Sequence, residues 1–148
     1  MSAPDAGKIP VFAALKGRDR DKVLTNATQR TYAPGATLVQ EGEHAVNLFF
    51  VVSGRARVET AEEGPRGELG PGDFFGELGL LERHPRTATV TAIDDVTVVM
   101  LSAWEFRGLL DEHPEMAVPM VYGLVARFHG LARHEHDHVH AHEHEPAG

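Results

Sequence analysis

The sequence predicts a mainly β domain of the α+β class, an antiparallel jelly-roll β-roll with helices before and after it. From about residue 30 to residue 101, short apolar or alternating runs are bounded by turn residues, which is typical of strands. Apolar residues at helical spacing precede and follow this region. Many short strands separated by glycine favour a sandwich or jelly roll. The glycines are Gly35, Gly42, Gly54, Gly64, Gly67, Gly70, Gly72, Gly76 and Gly79.

The N-terminal part is expected to hold a loose end and then short helices. Residues 1–8 are small and polar, as in a flexible terminus. Residues 9–28 carry apolar side chains at helical spacing, interrupted at Gly17. Those side chains are Val11, Phe12, Leu15, Val23 and Leu24.

Two tight hairpins are predicted within the β region. Residues 48–52 and 55–59 flank Ser53-Gly54, and residues 90–93 and 96–101 flank Asp94-Asp95. Each pair combines short apolar runs with a two-residue turn, which indicates strands that pair across the turn.

Helix returns after residue 101 and is expected to extend to about residue 133. Ser102, with Glu105 three residues later, forms a capping box for a helix running through Leu110, which His113-Pro114 closes. Pro119 either begins the next helix or kinks one that started near Pro114.

The last helical pattern carries an apolar stripe. Such a stripe serves either to cover the β-roll or to form a homodimer with its twin across a two-fold axis. Its members are Met120, Val121, Leu124, Val125, Phe128, Leu131 and Ala132.

Residues 75–90 form the most informative run in the chain. Gly76 permits a positive φ or a close backbone approach, and the amides that open a helix after it favour an anion. Arg86, nine residues after Glu77, can add a guanidinium fork to a phosphate. Glu77 can accept hydrogen bonds from a hydroxyl. Anion donors beside a hydroxyl acceptor indicate a sugar phosphate as ligand.

This run resembles the phosphate-binding cassette of the cyclic-nucleotide-binding domain family, the type found in catabolite activator protein and protein kinase A regulatory subunits. The resemblance covers roughly residues 9–132. The matching cassette residues are Phe75, Gly76, Glu77, Leu78, Gly79 and Leu80, followed by Pro85, Arg86, Thr87, Ala88, Thr89 and Val90. Upstream matches include residues 32–35, 42–43, 48–54 and 70–74.

The resemblance implies roles for these residues. Glu77 would bind the ribose 2′-hydroxyl and Arg86 the cyclic phosphate, while Gly79 and Leu80 would lie beside the ribose and phosphate. Leu78 would link the cassette to movement of the C-terminal helices, although an ordinary core leucine gives the same pattern. Thr87 does not decide between cAMP and cGMP. The base lid is not identified, and Arg127 and His129 are only guesses.

The resemblance also implies a non-enzymatic sensor of cAMP or cGMP that repositions its C-terminal helices and acts on an effector protein or through its own dimer. A helix-turn-helix that reads DNA has no room after residue 133, so a stand-alone module is expected. A ligand-free adaptor of the same shape is the alternative.

Composition excludes several other classes of protein. The chain has 148 residues, no cysteine and a formal net charge of -8. A negative surface does not attract nucleic acid, and no apolar run approaches the roughly 18 residues of a membrane span. We therefore expect a cytoplasmic domain with no membrane or nucleic-acid partner and no required cofactor.

The tail at residues 134–148 is rich in alternating histidines. These are His134, His136, His138, His140, His142 and His144. In an extended or a helical chain they offer neighbouring nitrogen ligands for Zn²⁺, Ni²⁺ or Cu²⁺, and a solvated tail is the other interpretation. A metal-responsive protein acting through this tail is thus a further alternative.

A metal-dependent jelly-roll enzyme is disfavoured. Cupins need a His-x-His pair within the barrel, whereas only His44 and His84 occur in the β region of this chain.

Overall fold

A computed structural model describes residues 6–44, 47–76 and 85–127. These residues form eight strands in two four-stranded antiparallel sheets, with helices on both sides in sequence, which confirms the predicted fold class. The strands are β1 (Thr28–Tyr32), β2 (Thr37–Val39), β3 (Asn47–Ser53), β4 (Ala56–Thr60), β5 (Gly64–Leu69), β6 (Phe74–Phe75), β7 (Thr89–Ala92) and β8 (Val96–Ser102). The helices are α1 (Pro10–Ala13), α2 (Gly17–Asn26), α3 (Ala103–Glu112) and α4, which is described over residues 117–127.

Consecutive strands lie in opposite sheets except β4 and β5, which pair with each other. One sheet has the order β1-β8-β3-β6 and the other the order β2-β7-β4-β5. The two-residue strand β6 forms the edge of the first sheet, where Phe74 pairs with Phe50 and Phe75 with Phe49. This edge leads directly into Gly76 and the predicted cassette.

Both hairpin predictions are wrong. β3 and β4 lie in different sheets, and so do β7 and β8, so each tight turn carries the chain from one sheet to the other. The two turns instead bond to each other, since the Arg55 amide donates to Asp94 Oδ1 at 2.8 Å and the Ile93 amide to the Arg55 carbonyl at 2.9 Å. Gly54, at φ +87°, lies so close to the turn at Asp94-Asp95 that an added Cβ would stand 2.8 Å from the Cα of Val96.

The core has two parts because β3 is apolar on both faces. Leu48 and Phe50 face a cluster under the helices, whereas Phe49 and Val51 face the other sheet. Successive strand residues point to opposite faces, so a continuous apolar run fits a strand buried on both sides. The cluster under the helices includes Phe12 from α1, Phe106 from α3, and Met116 and Met120 from the C-terminal region.

α3 begins and ends where the sequence predicts, and α4 begins at one of the two predicted places. Ser102 Oγ accepts from the Glu105 amide, and Glu105 Oε1 accepts from the Ser102 amide, both at 3.0 Å, which confirms the capping box. His113 ends α3, and a 3-10 turn follows over Pro114–Met116. α4 starts at residue 117, so Pro119 lies in its first turn, where a proline removes no intrahelical hydrogen bond.

The apolar stripe of α4 divides between two surfaces. Met120 is buried against the domain, while Val121, Leu124 and Val125 are exposed, so the stripe as a whole does not cover the β-roll. Phe128, Leu131 and Ala132 lie outside the described residues, as do residues 134–148. Within the described ranges, no helix combines the length and the hydropathy that crossing a membrane requires.

Candidate functional site

The two ends of the predicted cassette meet at the edge of the first sheet. Phe75 and Gly76 stand at one end and residues 85–88 at the other. Glu77, Leu78, Gly79 and Leu80 lie outside the described residues. The structure therefore defines the site through the arginine and the backbone around it.

The Arg86 side chain is held in place by two groups from β3. Its Nη2 atom donates to the Asn47 carbonyl oxygen at 2.9 Å, and its Nη1 atom is buried. The guanidinium carbon stands 5.4 Å from the centre of the Phe49 ring, a distance at which a cation is attracted to the face of an aromatic ring. The guanidinium is thus fixed in direction rather than free in solvent.

Gly76 lies directly against this guanidinium. Its φ is +92°, and a Cβ added there would stand 2.5 Å from Arg86 Nη1 and 2.6 Å from the Asn47 carbonyl oxygen. Side chains do not fit at such distances, and residues other than glycine rarely adopt this φ. The close approach and positive φ predicted for Gly76 are both present.

Two stacked aromatic rings form the floor under Arg86. Phe49 and Phe75 are paired across β3 and β6, and their rings are parallel within 2° with centres 4.7 Å apart. Both side chains are buried. Phe75 stacks on Phe49, over which the guanidinium lies, and its predicted role in ligand binding stays a prediction.

The main chain of Arg86 is fixed by the loop between β2 and β3. The Arg86 amide donates to the Glu43 carbonyl at 2.6 Å, and the Gly42 amide donates to the Arg86 carbonyl at 2.9 Å. His44 and Pro85 form an antiparallel bridge beside them. The arginine is therefore held both by its side chain and by its backbone.

The residues after Arg86 are more open. Thr87 is exposed and Ala88 is half-buried, and both lie in a bend before β7 begins at Thr89. Thr87 is thus accessible to a ligand, whereas the structure assigns it no base preference.

α4 contacts the strand that leads into the site. Arg127 Nη2 donates to the Phe74 carbonyl oxygen, and the Arg127 guanidinium carbon lies 5.0 Å from the Phe74 ring centre. A Cβ added at Gly123 would stand 2.8 Å from Phe74 Cε2, so the helix packs closely on this ring. Arg127 is therefore placed at the strand before Gly76, and a role at the nucleotide base stays a prediction. His129 lies outside the described residues.

Sequence reasoning missed the groups that orient Arg86. Asn47 acts through its main-chain carbonyl, which no side-chain pattern reveals, and Gly42 and Glu43 likewise act through their backbone. Phe49 lies in an apolar strand where any large residue fits the pattern. Among the described residues, no cluster of three or more His, Asp or Glu side chains suits a metal ion, and the tail histidines lie outside them.

Known proteins resemble this chain in sequence and in fold. The model of the cyclic nucleotide-binding domain family matches residues 29–113, more than half of the chain. The cAMP-dependent protein kinase regulatory subunit of Debaryomyces hansenii is 36% identical over 102 residues, which are 69% of this chain and 23% of that protein.

Two solved structures show the same architecture. The catabolite activator protein of Thermus thermophilus has a TM-score of 0.70 and 28% identity, covering 88% of this chain and 62% of that one. PKAR CBD2 bound to Sp-2Cl-cAMPS has a TM-score of 0.68 and 25% identity, covering 86% of this chain and 87% of that one.

The chain therefore belongs to the cyclic nucleotide-binding domain family. It spans between 21% and 30% of the length of the curated relatives compared with it, which are regulatory subunits and channels.

Proposed function

We propose that this protein is a non-enzymatic cytoplasmic sensor that binds cAMP, with cGMP as the second candidate ligand. The observation that carries the proposal is the fixed guanidinium of Arg86, held between the Asn47 carbonyl, the Phe49 ring and Gly76. A guanidinium carries five N–H donors in a planar fork that matches the geometry of a phosphate. The family relatives named for cAMP support the choice of nucleotide.

In the proposed complex, Arg86 and the cassette amides hold the cyclic phosphate, and Glu77 holds the ribose 2′-hydroxyl. Because the guanidinium is already oriented, little side-chain entropy remains to be lost when the phosphate binds. Glu77, Leu78, Gly79 and Leu80 are assigned by resemblance, so their positions stay a prediction.

Thermal unfolding tests this assignment. A ligand of the folded state at 100 times its Kd stabilises that state by about 2.7 kcal/mol, which raises Tm by several degrees. We expect this rise with cAMP for the wild type and its loss in Arg86→Ala. Arg86→Lys, which keeps the charge and removes the fork, should retain only a small part of the shift. Arg55→Ala is the matched control, since Arg55 forms an exposed ion pair with Glu68 at 3.0 Å on the other sheet.

The same titration distinguishes the alternatives. If neither cAMP nor cGMP shifts the wild type at millimolar concentration, a ligand-free adaptor of this fold replaces the sensor. If Zn²⁺ or Ni²⁺ shifts it and replacing the six tail histidines by alanine abolishes that shift, the metal-responsive alternative is supported. A nucleotide shift that survives in Arg86→Ala at full size would refute the assigned phosphate site.

We further propose that ligand capture repositions the C-terminal helices. α4 is joined to the site through Phe74, which it contacts with Gly123 and Arg127. A ligand shifts such an arrangement only by its difference in affinity for the two states. Trp104, the single tryptophan, is 80% exposed near the start of α3 and reports on this movement by its fluorescence. An unchanged emission spectrum at saturating cAMP would count against movement around α3.

The output surface that we propose is the exposed face of α4. Val118, Val121, Tyr122 and Val125 are exposed at helical spacing, while Met120 faces the domain. An apolar face that its own domain leaves uncovered suits a second copy of the chain or an effector protein. Sedimentation equilibrium with and without cAMP distinguishes the two. A homodimer should dissociate in Tyr122→Glu, whereas a wild type that stays monomeric in both conditions leaves an effector as the occupant.

A further inference from the structure

One short loop bonds to the residues on either side of Thr87 and Ala88, to the main chain of Arg86 and to the side chain of Thr89. The loop residues Gly42 and Glu43 exchange hydrogen bonds with the backbone of Arg86, at 2.9 and 2.6 Å. The neighbouring Glu41 amide donates to Thr89 Oγ1 at 3.0 Å. Glu41 and Gly42 are adjacent in the loop, whereas their partners Thr89 and Arg86 are three positions apart in the cassette.

Thr87 and Ala88 form a bend between these contacts. The flanking pairs, Val39 with Val90 and His44 with Pro85, leave four residues on each side, so the loop and the cassette face each other in one antiparallel register. The Thr89 hydroxyl is the side-chain group that meets the loop beside this bend.

The loop is anchored from its other side as well. Glu41 Oε1 accepts from the Ala61 amide at 2.9 Å, which ties the loop to the turn between β4 and β5. Thr89 also pairs with Glu59 in the register of β4 and β7. The hydrogen bond between Glu41 and Thr89 therefore joins two segments that are each fixed to β4 or its turn.

We infer that Thr89 is a positioning residue for ligand binding, acting through the Glu41 amide to set the backbone that carries Arg86, Thr87 and Ala88. The inference rests on the proposed function. A threonine that only suits a strand would act through its β-branched shape, which valine shares. A positioning threonine acts through its hydroxyl, which serine shares.

Isothermal titration calorimetry with cAMP separates these two roles. Thr89→Val should weaken cAMP binding by about five- to tenfold, in line with the loss of one neutral hydrogen bond. Thr89→Ser should stay within about twofold of the wild type by the same reasoning, because it keeps the acceptor. Thr91→Val is the matched control, since Thr91 lies two residues further along the same face of β7 and is also half-buried.

A double-mutant cycle tests whether Thr89 acts through Arg86. In an Arg86→Lys background, the effect of Thr89→Val should fall below about twofold, because coupled residues give non-additive changes. Three results would each overturn the inference. Thr89→Val and Thr89→Ser could lose cAMP affinity equally, or Thr89→Val could keep its full effect on affinity in the Arg86→Lys background. Thr89→Val could also lower Tm while leaving the cAMP affinity unchanged. A wild type that binds neither cAMP nor cGMP would overturn the proposed function and this inference with it. If the wild type binds cAMP and Thr89→Val binds it equally well, the inference is overturned while the proposed function stands.

Discussion

Gly76→Ala is the substitution that tests the geometry of the site most directly. At φ +92°, an alanine is held in a backbone region that costs on the order of 1–3 kcal/mol of stability. Its Cβ would also stand 2.5 Å from Arg86 Nη1 and 2.6 Å from the Asn47 carbonyl oxygen. Since main-chain atoms of β3 cannot retreat easily, the guanidinium is the group that must move.

Displacing Arg86 removes its 2.9 Å hydrogen bond to the Asn47 carbonyl. A hydrogen bond to a charged group contributes about 1.5–3 kcal/mol, and each 1.4 kcal/mol corresponds to about tenfold in affinity. Because the displaced guanidinium no longer stands where it would meet the phosphate, we expect Gly76→Ala to weaken cAMP binding by at least about tenfold. The lost hydrogen bond adds to the backbone cost, so the free energy of unfolding should fall by more than the about 1–3 kcal/mol of the backbone cost alone.

The matched control is Gly35→Ala. Gly35 has φ +86°, close to that of Gly76, and an added Cβ there meets nothing within 4 Å. Urea denaturation should show the cost of the positive φ in both variants and a larger loss in Gly76→Ala, which also loses the Arg86 hydrogen bond, while calorimetry should show lost affinity only in Gly76→Ala. If the two variants bind cAMP equally well, the packing of Arg86 against Gly76 does not matter for binding and the reasoning fails.

Two further predictions concern the C-terminal helices. Gly123→Ala should lower the free energy of unfolding by about 1–3 kcal/mol, because its Cβ would stand 2.8 Å from the buried Phe74 ring. The control is Gly108→Ala in α3, where an added Cβ meets nothing within 4 Å and should raise the free energy of unfolding by up to about 1 kcal/mol. A Gly123→Ala variant as stable as Gly108→Ala would show that α4 does not pack on Phe74. Ser102→Ala should lower the free energy of unfolding, measured by urea denaturation, by about 1 kcal/mol because the helix cap is lost. Ser102→Thr keeps a capping hydroxyl and should retain most of the wild-type stability. Equal stability of the wild type and both variants would contradict the capping role.

The elements predicted best are those that local chemistry defines. The capping box needs only Ser102 and Glu105 three residues apart, and both of its hydrogen bonds are present. His113-Pro114 ends α3 as predicted because a proline disfavours helical geometry in the residue before it. The sequence allowed Pro119 either to begin a helix or to kink one that started near Pro114. A 3-10 turn over Pro114–Met116 separates the two helices, so Pro119 lies in the first turn of α4.

The predicted hairpins failed for a definite reason. Ser53-Gly54 and Asp94-Asp95 do turn the chain tightly, as their composition indicates. A tight turn reverses the chain without fixing which strand it will pair with. Here each turn connects a strand of one sheet to a strand of the other, and the two turns pack on one another. The pairing of the strands therefore depends on residues about forty positions apart in the sequence.

The sequence alone determined the class of fold, since strand alternation and glycine turns are local properties of the chain, and the residues proposed for the site come from the resemblance of the run around Gly76 and Arg86 to the family cassette. Tertiary structure decided how Arg86 is oriented, because the Asn47 carbonyl, the Phe49 ring and the backbone of Gly42 and Glu43 reach it only after distant strands have paired. It also decided which side of α4 is buried, because an apolar stripe can pack on its own domain or on a partner and periodicity is the same for both.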